Sequence, residues 1–394
     1  MSGAAASPPG YAAFRPLLWL VSLGIFMQML DSTIVNTALP AMARSLGHSP
    51  LQMQSVVFSY ALAVASFIPA SGWLADRYGT RRMYLLAIVL FVAGSLACAA
   101  AQQLYQLVAA RVLQGIGGAL LLPVGRLAVM RSVPREQFLR AMSFIAIPAL
   151  IGPLLGPTVG GWLVEAASWH WVFLINLPIG VIGWVAAWKI MPDHRRRSAR
   201  FDAADYAMLA FAMIALSLAL DGISGLGTPH ALILLLAVAG LAALAGYWLH
   251  ALHAPAPLFP PSLFTVRSFR IGILGNLFSR IGTAAMPMLI PLLLQVGLQM
   301  PPMRAGMLMI PVALAGMAAK KAAVSLVKRF GYRRIALVNT VLVGLAMASF
   351  AWVGPGQPLW ALIAQLSVFG AVNSLQFTVM NTVTLRARHP GRAR

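Results

Sequence analysis

Twelve apolar stretches, most of them long enough to span a membrane, follow one another along this chain of 394 residues. A transmembrane helix needs about 20 consecutive, mostly apolar residues, and only the stretch at 206–220 is clearly shorter. Charged residues make up 9% of the chain and hydrophobic residues 60%, whereas about 25% of the residues of a soluble domain are charged. The sequence therefore predicts an all-α integral membrane protein. The predicted spans are Leu17–Ala41, Leu51–Gly72, Met83–Ala101, Gln106–Arg126, Ala141–Leu163, Val172–Met191, Tyr206–Leu220, Ala231–Leu249, Ile271–Val296, Ala305–Val327, Ile335–Val353 and Leu359–Asn381.

The positions of the basic residues predict how these spans cross the membrane. If the N-terminus is placed inside and the connections alternate, 25 of the 29 lysines and arginines fall on the inner side. Inner loops of membrane proteins carry such an excess, so both termini are expected in the cytoplasm. The net charge of +21 is then an orientation signal that suits anionic lipid, and no nucleic-acid partner is predicted. The four remaining basic residues are Arg44 and Arg304 in outer loops and Arg111 and Arg280 within spans.

An internal repeat divides the chain. The stretch GWLADRYGTRR (Gly72–Arg82) recurs in part as VSLVKRFGYRR (Val324–Arg334), 252 residues further along, and each copy precedes a new span. If the first six predicted spans are shifted by that distance, the shifted set begins near Phe269, where the predicted span Ile271–Val296 also begins. We therefore expect a six-helix bundle in 1–191, a loop and two inserted helices in 192–268, four helices of a second bundle in 269–385 and a basic tail in 386–394.

The second bundle is expected to be incomplete, with about 12 spans present where the repeat predicts 14. A full second set would run to about residue 443, but the chain ends at Arg394. Its last stretch, RARHPGRAR (Arg386–Arg394), differs abruptly in composition from the spans before it. Two interpretations stay open: a genuine basic tail, or out-of-frame translation after a lost reading frame.

Five motifs occur in an order and in places typical of one transporter family. They are LDSTIVNTALP (Leu30–Pro40), GWLADRYGTRR, RVLQGIGGA (Arg111–Ala119), GPLLGPTVGG (Gly152–Gly161) and WHWVFLINLP (Trp169–Pro178). The chain resembles the major facilitator superfamily, and within it the 14-helix drug:proton antiporter (EmrB/QacA-like) family, over nearly its whole length. The resemblance implies the major facilitator fold and a multi-pass protein of the bacterial cytoplasmic (inner) membrane.

Asp31 is the one carboxylate deep within a predicted span, where a charge is costly and usually functional. Burial favours the neutral form of a carboxyl group and a nearby cation favours the charged form. Asp31 is therefore predicted to carry the coupling proton. Arg111 is its natural partner, because at 1.5 Å per residue their depths differ by about 6 Å. The resemblance implies that Arg111 takes part in proton coupling. The alternatives are a hydrogen-bonded polar residue at 31 and a purely structural ion pair.

Two further motifs predict conformational roles. The inner loop is interpreted as a gating latch rather than a substrate site, with topological anchoring as the alternative; its residues are Gly72, Asp76, Arg77, Gly79, Arg81 and Arg82. Glycines four apart on helix five permit close helix contact, and the resemblance implies that this antiporter motif seals the bundle against proton leak. Its residues are Gly152, Gly156, Pro157, Gly160 and Gly161.

The predicted function is export by alternating access of two bundles, exchanging external protons for a cytoplasmic hydrophobic or amphipathic compound. The sequence contains no G-x-x-x-x-G-K-[ST] loop, so neither an ATP-driven pump nor an enzyme is expected, and neither a cofactor nor a metal site is predicted. Expected partners are the lipid bilayer, the substrate and protons, with the chain a monomer. Two other functions stay open: a metabolite exporter of the same fold and a truncated, transport-incompetent remnant. Candidate cavity-lining residues are Gln28, Asn36 and Arg280.

Overall fold

The structure, a computed structural model, describes residues 11–195, 201–224, 229–254 and 257–386. All regular elements in these ranges are helical. The α-helices are α1 (Arg15–Leu46), α2 (Gln54–Tyr78), α3 (Thr80–Ala99), α4 (Leu104–Ser132), α5 (Arg135–Ala166), α6 (Trp171–Leu174), α7 (Asn176–Ile190), α8 (Ala203–Ser224), α9 (His230–His253), α10 (Arg267–Thr283), α11 (Met286–Leu292), α12 (Pro302–Met307), α13 (Met309–Phe330), α14 (Tyr332–Ser349) and α15 (Leu359–Arg386). Short 3₁₀ turns lie at Tyr11–Phe14, Pro261–Thr265 and Phe350–Trp352, and a π-helical turn at Leu293–Gly297.

The predicted number of spans is confirmed, because 12 helical segments of the described residues are long and apolar enough to cross a membrane. The short predicted span at 206–220 is part of α8, a helix of 22 residues. The backbone N–H of Asp205 donates to the Asp202 carboxylate at 3.0 Å, which is the geometry of a helix N-cap. Asp202 and Asp205, which precede the predicted span, thus lie at the N-terminal end of the helix.

The predicted span Ile271–Val296 is not one straight helix. It consists of α10, α11 and the π-helical turn, with a break after Thr283. Pro287 and Pro291 follow the break, and proline removes a backbone donor and disturbs the preceding turn. The sequence predicted the extent of this span and not its interruption.

The internal repeat is present in the structure as two matching sets of helices. A shift of 252 residues places α1 on the segment that runs from α10 through α11 to the π-helical turn. The same shift places α2 on α12 and α13, α3 on α14, and α4 on α15. The glycine before α3, Gly79, has φ +99°, and its counterpart before α14, Gly331, has φ +77°. We call α1–α4 the first set and α10–α15 the second set.

Grouped by their contacts, the described residues form two compact units. The first unit takes residues from 1–31, 55–152 and 170–240, and the second from 32–54, 153–169 and 241–394. Helices α1 and α5 contribute residues to both units, so these units do not follow the repeat, and the boundaries expected at 191 and 268 stay predictions. The core of the first unit includes Tyr84, Phe91 and Val124. That of the second includes Leu294 and Leu366.

The second unit contains an apolar cavity of about 650 Å³. Met347 and Phe350 line it, and they correspond in the repeat to Ser95 and Cys98 of α3. In the first unit the space beside α3 is filled by α6 and α7, since Asn176 at the start of α7 donates to the Ser95 hydroxyl at 3.3 Å. Within the described residues, the place that α7 takes beside α3 is therefore open beside α14.

The turn between α2 and α3 gives the first testable prediction. A Cβ at Gly79 would meet the Asp193 side chain, and a positive φ costs an L-residue roughly 1–2 kcal/mol, so Gly79→Ala is expected to lower the melting temperature. Gly72→Ala is the matched control, because Gly72 lies inside α2 with no atom within 4 Å of such a Cβ. Thermal unfolding of both variants in one detergent measures the difference. Equal melting temperatures for the two variants would contradict the requirement for glycine at position 79.

Candidate functional site

Asp31 lies at the centre of a fully buried hydrogen-bond network in the first unit. Its Oδ2 accepts from Arg111 Nη1 at 2.7 Å, with side-chain exposures of 0% for Asp31 and 1% for Arg111. Its Oδ1 accepts from Gln114 Nε2 at 2.8 Å and from Asn176 Nδ2 at 2.9 Å. Both carboxylate oxygens are therefore bonded, as a buried charge requires.

Arg111 is held on several sides. Its Nε donates to the backbone oxygen of Val56 at 3.2 Å, and its Nη1 also donates to Gln114 Oε1 at 2.5 Å. The guanidinium carbon lies 4.1 Å from the centre of the Tyr60 ring, a cation–π geometry. The predicted pairing of Arg111 with Asp31 is thus present, while the proton-coupling role of the pair stays a prediction.

Three members of the network are uncharged, and the sequence did not single them out. Gln114 bridges Asp31 and Ser95, donating to the Ser95 hydroxyl at 2.7 Å. Gln114 is three residues after Arg111, so it shares a helix face with it, and this spacing is a signal that could have identified it. Ser95 and Asn176 are single polar residues in apolar stretches, a pattern that many structural residues also show.

The second set of helices packs without such a network. The residues that correspond to Asp31, Ser95, Arg111 and Gln114 are Thr283, Met347, Ile363 and Leu366. Met347 and Leu366 belong to the apolar core of the second unit or pack against it. The same helix arrangement therefore forms with one threonine and three apolar side chains at these positions, so its packing does not need the ion pair.

The inner-loop motif is tied to neighbouring elements of the first unit. Asp76 forms an ion pair with Arg131 near the end of α4, so its partner lies in the first unit. Arg81 Nε donates to the backbone oxygen of Met191 at 2.5 Å. The segment after α7 also bonds Thr80, whose N–H donates to the His194 oxygen at 3.3 Å.

The other predicted residues of this motif lie within α2 and α3 rather than in a loop, and they make weaker contacts. The guanidinium of Arg77 lies 5.7 Å from the Trp73 ring centre, and both Arg82 and Gly72 are exposed. Some residues of the motif therefore bond to neighbouring elements, and others are exposed. Its gating role stays a prediction.

The glycines of α5 all lie where a side chain would collide. A Cβ on Gly152 would come within 2.8 Å of Met29 Cβ, and one on Gly160 within 2.7 Å of the Ile34 oxygen. Gly156 faces Thr33 in the same way, and Gly161 faces the backbone of Pro302. These contacts confirm the predicted close approach of α5 to its neighbours, and the sealing function stays a prediction.

Pro157 belongs to a reciprocal contact in the second unit. Its carbonyl oxygen faces Gly306 of α12, while the backbone of Pro302 in α12 faces Gly161 of α5. Thr158 donates from its hydroxyl to the Gly306 oxygen at 3.3 Å. Two glycines, one on each helix, thus let α5 and α12 touch backbone to backbone.

Substitution of a helix-five glycine is expected to reduce folding and transport together. Gly156→Leu places a large side chain against Thr33 and Ile34, and overpacking of this kind costs typically about 1–3 kcal/mol. Gly344→Leu in α14 is the control, because no atom lies within 4 Å of a Cβ there. Yield of monodisperse protein and dye efflux are measured for both. Equal results for the two variants would contradict the packing role of Gly156.

The three candidate cavity residues differ in exposure. Gln28 and Asn36 are each 6% exposed, whereas Arg280 is exposed. Gln28 belongs to the first unit, and its Nε2 lies near Gly118 next to the Tyr60 hydroxyl. Asn36 and Arg280 belong to the second unit. Their predicted contact with substrate stays a prediction.

Comparison with known sequences agrees with the motifs. Residues 21–393 match the Major Facilitator Superfamily. A candidate multidrug resistance protein, MdtD, of Pectobacterium carotovorum subsp. carotovorum (strain PC1) is 50% identical over 375 residues, which cover 95% of this chain and 80% of that protein.

Comparison with solved structures supports the fold. A peptide transporter in complex with sulfate is 17% identical and superposes with a TM-score of 0.68, covering 98% of this chain and 83% of that one. A D-xylose–proton symporter is 15% identical with a TM-score of 0.63, covering 95% of this chain and 86% of that one. At these identities the likeness concerns the fold alone.

Proposed function

Because the chain belongs to the Major Facilitator Superfamily and is therefore a membrane transporter, we propose that it is a proton-coupled exporter of small hydrophobic or amphipathic compounds. Asp31 carries the proton, and Arg111 competes with that proton for the carboxylate. The MdtD relative is named for multidrug resistance, which favours export over uptake and a broad substrate range over a narrow one.

One observation carries the proposal: a buried ion pair lies where the second set of helices has an uncharged threonine and isoleucine instead. Replacing a buried ion pair with well-packed apolar residues is often neutral or stabilising. A pair that packing does not require, with the Asp31 carboxylate bonded by three donors, is best explained by its chemistry. Reversible protonation is the chemistry that a carboxylate beside an arginine offers.

Coupling follows from the bonds that protonation would change. A proton on Asp31 removes the charge that Arg111 Nη1 binds at 2.7 Å and replaces one acceptor oxygen with an O–H donor. With the proton on Oδ2, Oδ1 can still accept from the Gln114 and Asn176 amides, so the contact that is weakened is the one to Arg111. Because Arg111 lies on α4, neutralising Asp31 loosens the contact between α1 and α4.

Export rather than uptake rests on the multidrug-resistance name of the MdtD relative, and both termini are predicted to lie in the cytoplasm. Protons enter from outside down their gradient, and each charge that crosses gains roughly 2.3 kcal/mol per 100 mV. The inner-loop motif gates transport, and the glycine contacts of α5 seal the bundle against proton leak. Alternating access of two bundles around a central site then links proton entry to substrate exit.

Efflux from cells that lack their own pumps tests the proposal. Cells expressing the chain are loaded with a lipophilic fluorescent dye, and efflux is followed with and without a protonophore. We expect efflux that the protonophore abolishes and that extends to several chemically unrelated dyes. Efflux that persists with the protonophore would contradict proton coupling, and export of a single metabolite class would favour the narrower exporter.

A further inference from the structure

Arg280 is a charged residue in the middle of a membrane span. It lies in α10, within the spanning segment Phe269–Gly297. At 1.5 Å per residue it is about 16 Å from Phe269, which is close to half of a hydrocarbon core about 30 Å thick. A charged residue at this depth marks a substrate or ion path more often than a structural role.

The partners of Arg280 among the described residues are uncharged. Its Nε donates to Asn276 Oδ1 at 3.1 Å, and its guanidinium carbon lies 4.8 Å from the centre of the Phe377 ring. Asn276 in turn donates from Nδ2 to Asn381 Oδ1 at 3.1 Å. These contacts orient the guanidinium without neutralising it.

The sequence contains no carboxylate that could neutralise Arg280 from its own half of the chain. The 8 acidic residues all lie at or before Asp221, so residues 222–394 contain neither Asp nor Glu. Arg111, the other arginine within a span, is 1% exposed and paired with Asp31 at 2.7 Å. Arg280 by contrast is exposed, so the described residues do not enclose its guanidinium.

The geometry of a guanidinium selects the ligand. Its planar fork of N–H donors fits a carboxylate, sulfonate or phosphate by two parallel hydrogen bonds. A lipid phosphate stays at the interface, about 15 Å from the membrane midplane, which is farther than an arginine side chain extends. The anion that fits Arg280 therefore has to enter the protein as part of a soluble or amphipathic compound.

We propose that Arg280 binds the anionic group of the exported compound, so that the substrates are amphipathic organic anions with a carboxylate, sulfonate or phosphate on an apolar body. Asn276 orients the guanidinium, and the Phe377 ring offers an apolar surface to the body of the ligand. This inference rests on the proposed export function and names its substrate class. It predicts that a dye with a negative group is bound better than a cationic dye of the same core.

Binding of two xanthene dyes to the purified full chain tests the inference. One dye is a carboxylated fluorescein and the other a cationic rhodamine ester, and binding is measured by fluorescence anisotropy. The variants are Arg280→Gln, which introduces the residue found at the corresponding position 28, and Arg280→Lys. Arg270→Gln, an exposed arginine on the same helix, is the control for non-specific attraction.

We expect Arg280→Gln to weaken binding of the anionic dye at least tenfold, Arg280→Lys to weaken it less, and Arg270→Gln to leave it unchanged. On the unaltered chain, a hydrophobic carboxylate should displace the anionic dye while its methyl ester should not, a readout that needs no variant to fold. Unchanged affinity in a folded Arg280→Gln protein, equal displacement by acid and ester, or binding of the cationic dye alone would each overturn the inference.

The failure of this inference and that of the proposed function are distinguishable. Binding of the cationic dye alone, with proton-driven efflux intact, removes the anionic substrate class and leaves export standing. Arg280-dependent binding of the anionic dye without any proton-driven efflux keeps this inference and removes the export function.

Discussion

Asp31→Asn is expected to abolish proton-driven efflux while leaving the chain folded. Asparagine is close in size to aspartate, and its one amide oxygen can replace either the oxygen that accepts from Arg111 or the oxygen that accepts from Gln114 and Asn176, but it cannot take up a proton. Net efflux should fall at least tenfold. Exchange of labelled for unlabelled substrate, which needs no net proton movement, should persist in reconstituted vesicles.

The matched control for this variant is Asp221→Asn at the end of α8, which makes the same chemical change outside the buried network. It is expected to transport at the wild-type rate. Loss of exchange together with net efflux in Asp31→Asn would indicate a structural role for Asp31. Full net efflux would remove Asp31 from the coupling mechanism.

Arg111→Ile alone is expected to destabilise the chain strongly, whereas Asp31→Thr combined with Arg111→Ile is not. The single substitution leaves the fully buried Asp31 charge without its arginine, and breaking a buried pair in this way costs about 3–5 kcal/mol. The double variant carries the residues found at the corresponding positions of the second set, Thr283 and Ile363. It should recover most of the stability and none of the proton-driven efflux.

Thermal unfolding and efflux of the two variants are measured side by side. A double variant as unstable as Arg111→Ile would show that packing of the first set needs the ion pair, against the inference drawn from the repeat. A double variant that still exports against a gradient would separate transport from the pair altogether.

The sequence predicted the membrane class, the 12 spans and the 252-residue repeat because these depend on apolar length and on local similarity. It also predicted the pairing of Asp31 with Arg111, since two opposite charges at similar depth in apolar helices have few other partners. Gly79 belongs to the inner-loop motif that the sequence identified, and its φ of +99° is one that other residues adopt only at a cost.

Sequence reasoning did not identify Gln114, Ser95 and Asn176, because uncharged polar residues are tolerated in spans for many reasons and their partners are set by tertiary packing. The break after Thr283 was missed for a related reason: a proline within a span leaves the length of the apolar stretch unchanged. The partner of Asp76 was not predicted either, because the position of Arg131 on α4 determines the ion pair.

In the proposed mechanism, substrate and protons cross the membrane in opposite directions, and Asp31 couples the two movements. Everted membrane vesicles containing the chain are acidified inside by respiration, substrate is added outside, and the internal pH is followed with a pH-sensitive dye. The account predicts that substrate raises the internal pH in vesicles with the unaltered chain and has no effect with Asp31→Asn. Substrate accumulation without a change in internal pH, or the same change in Asp31→Asn vesicles, would contradict it.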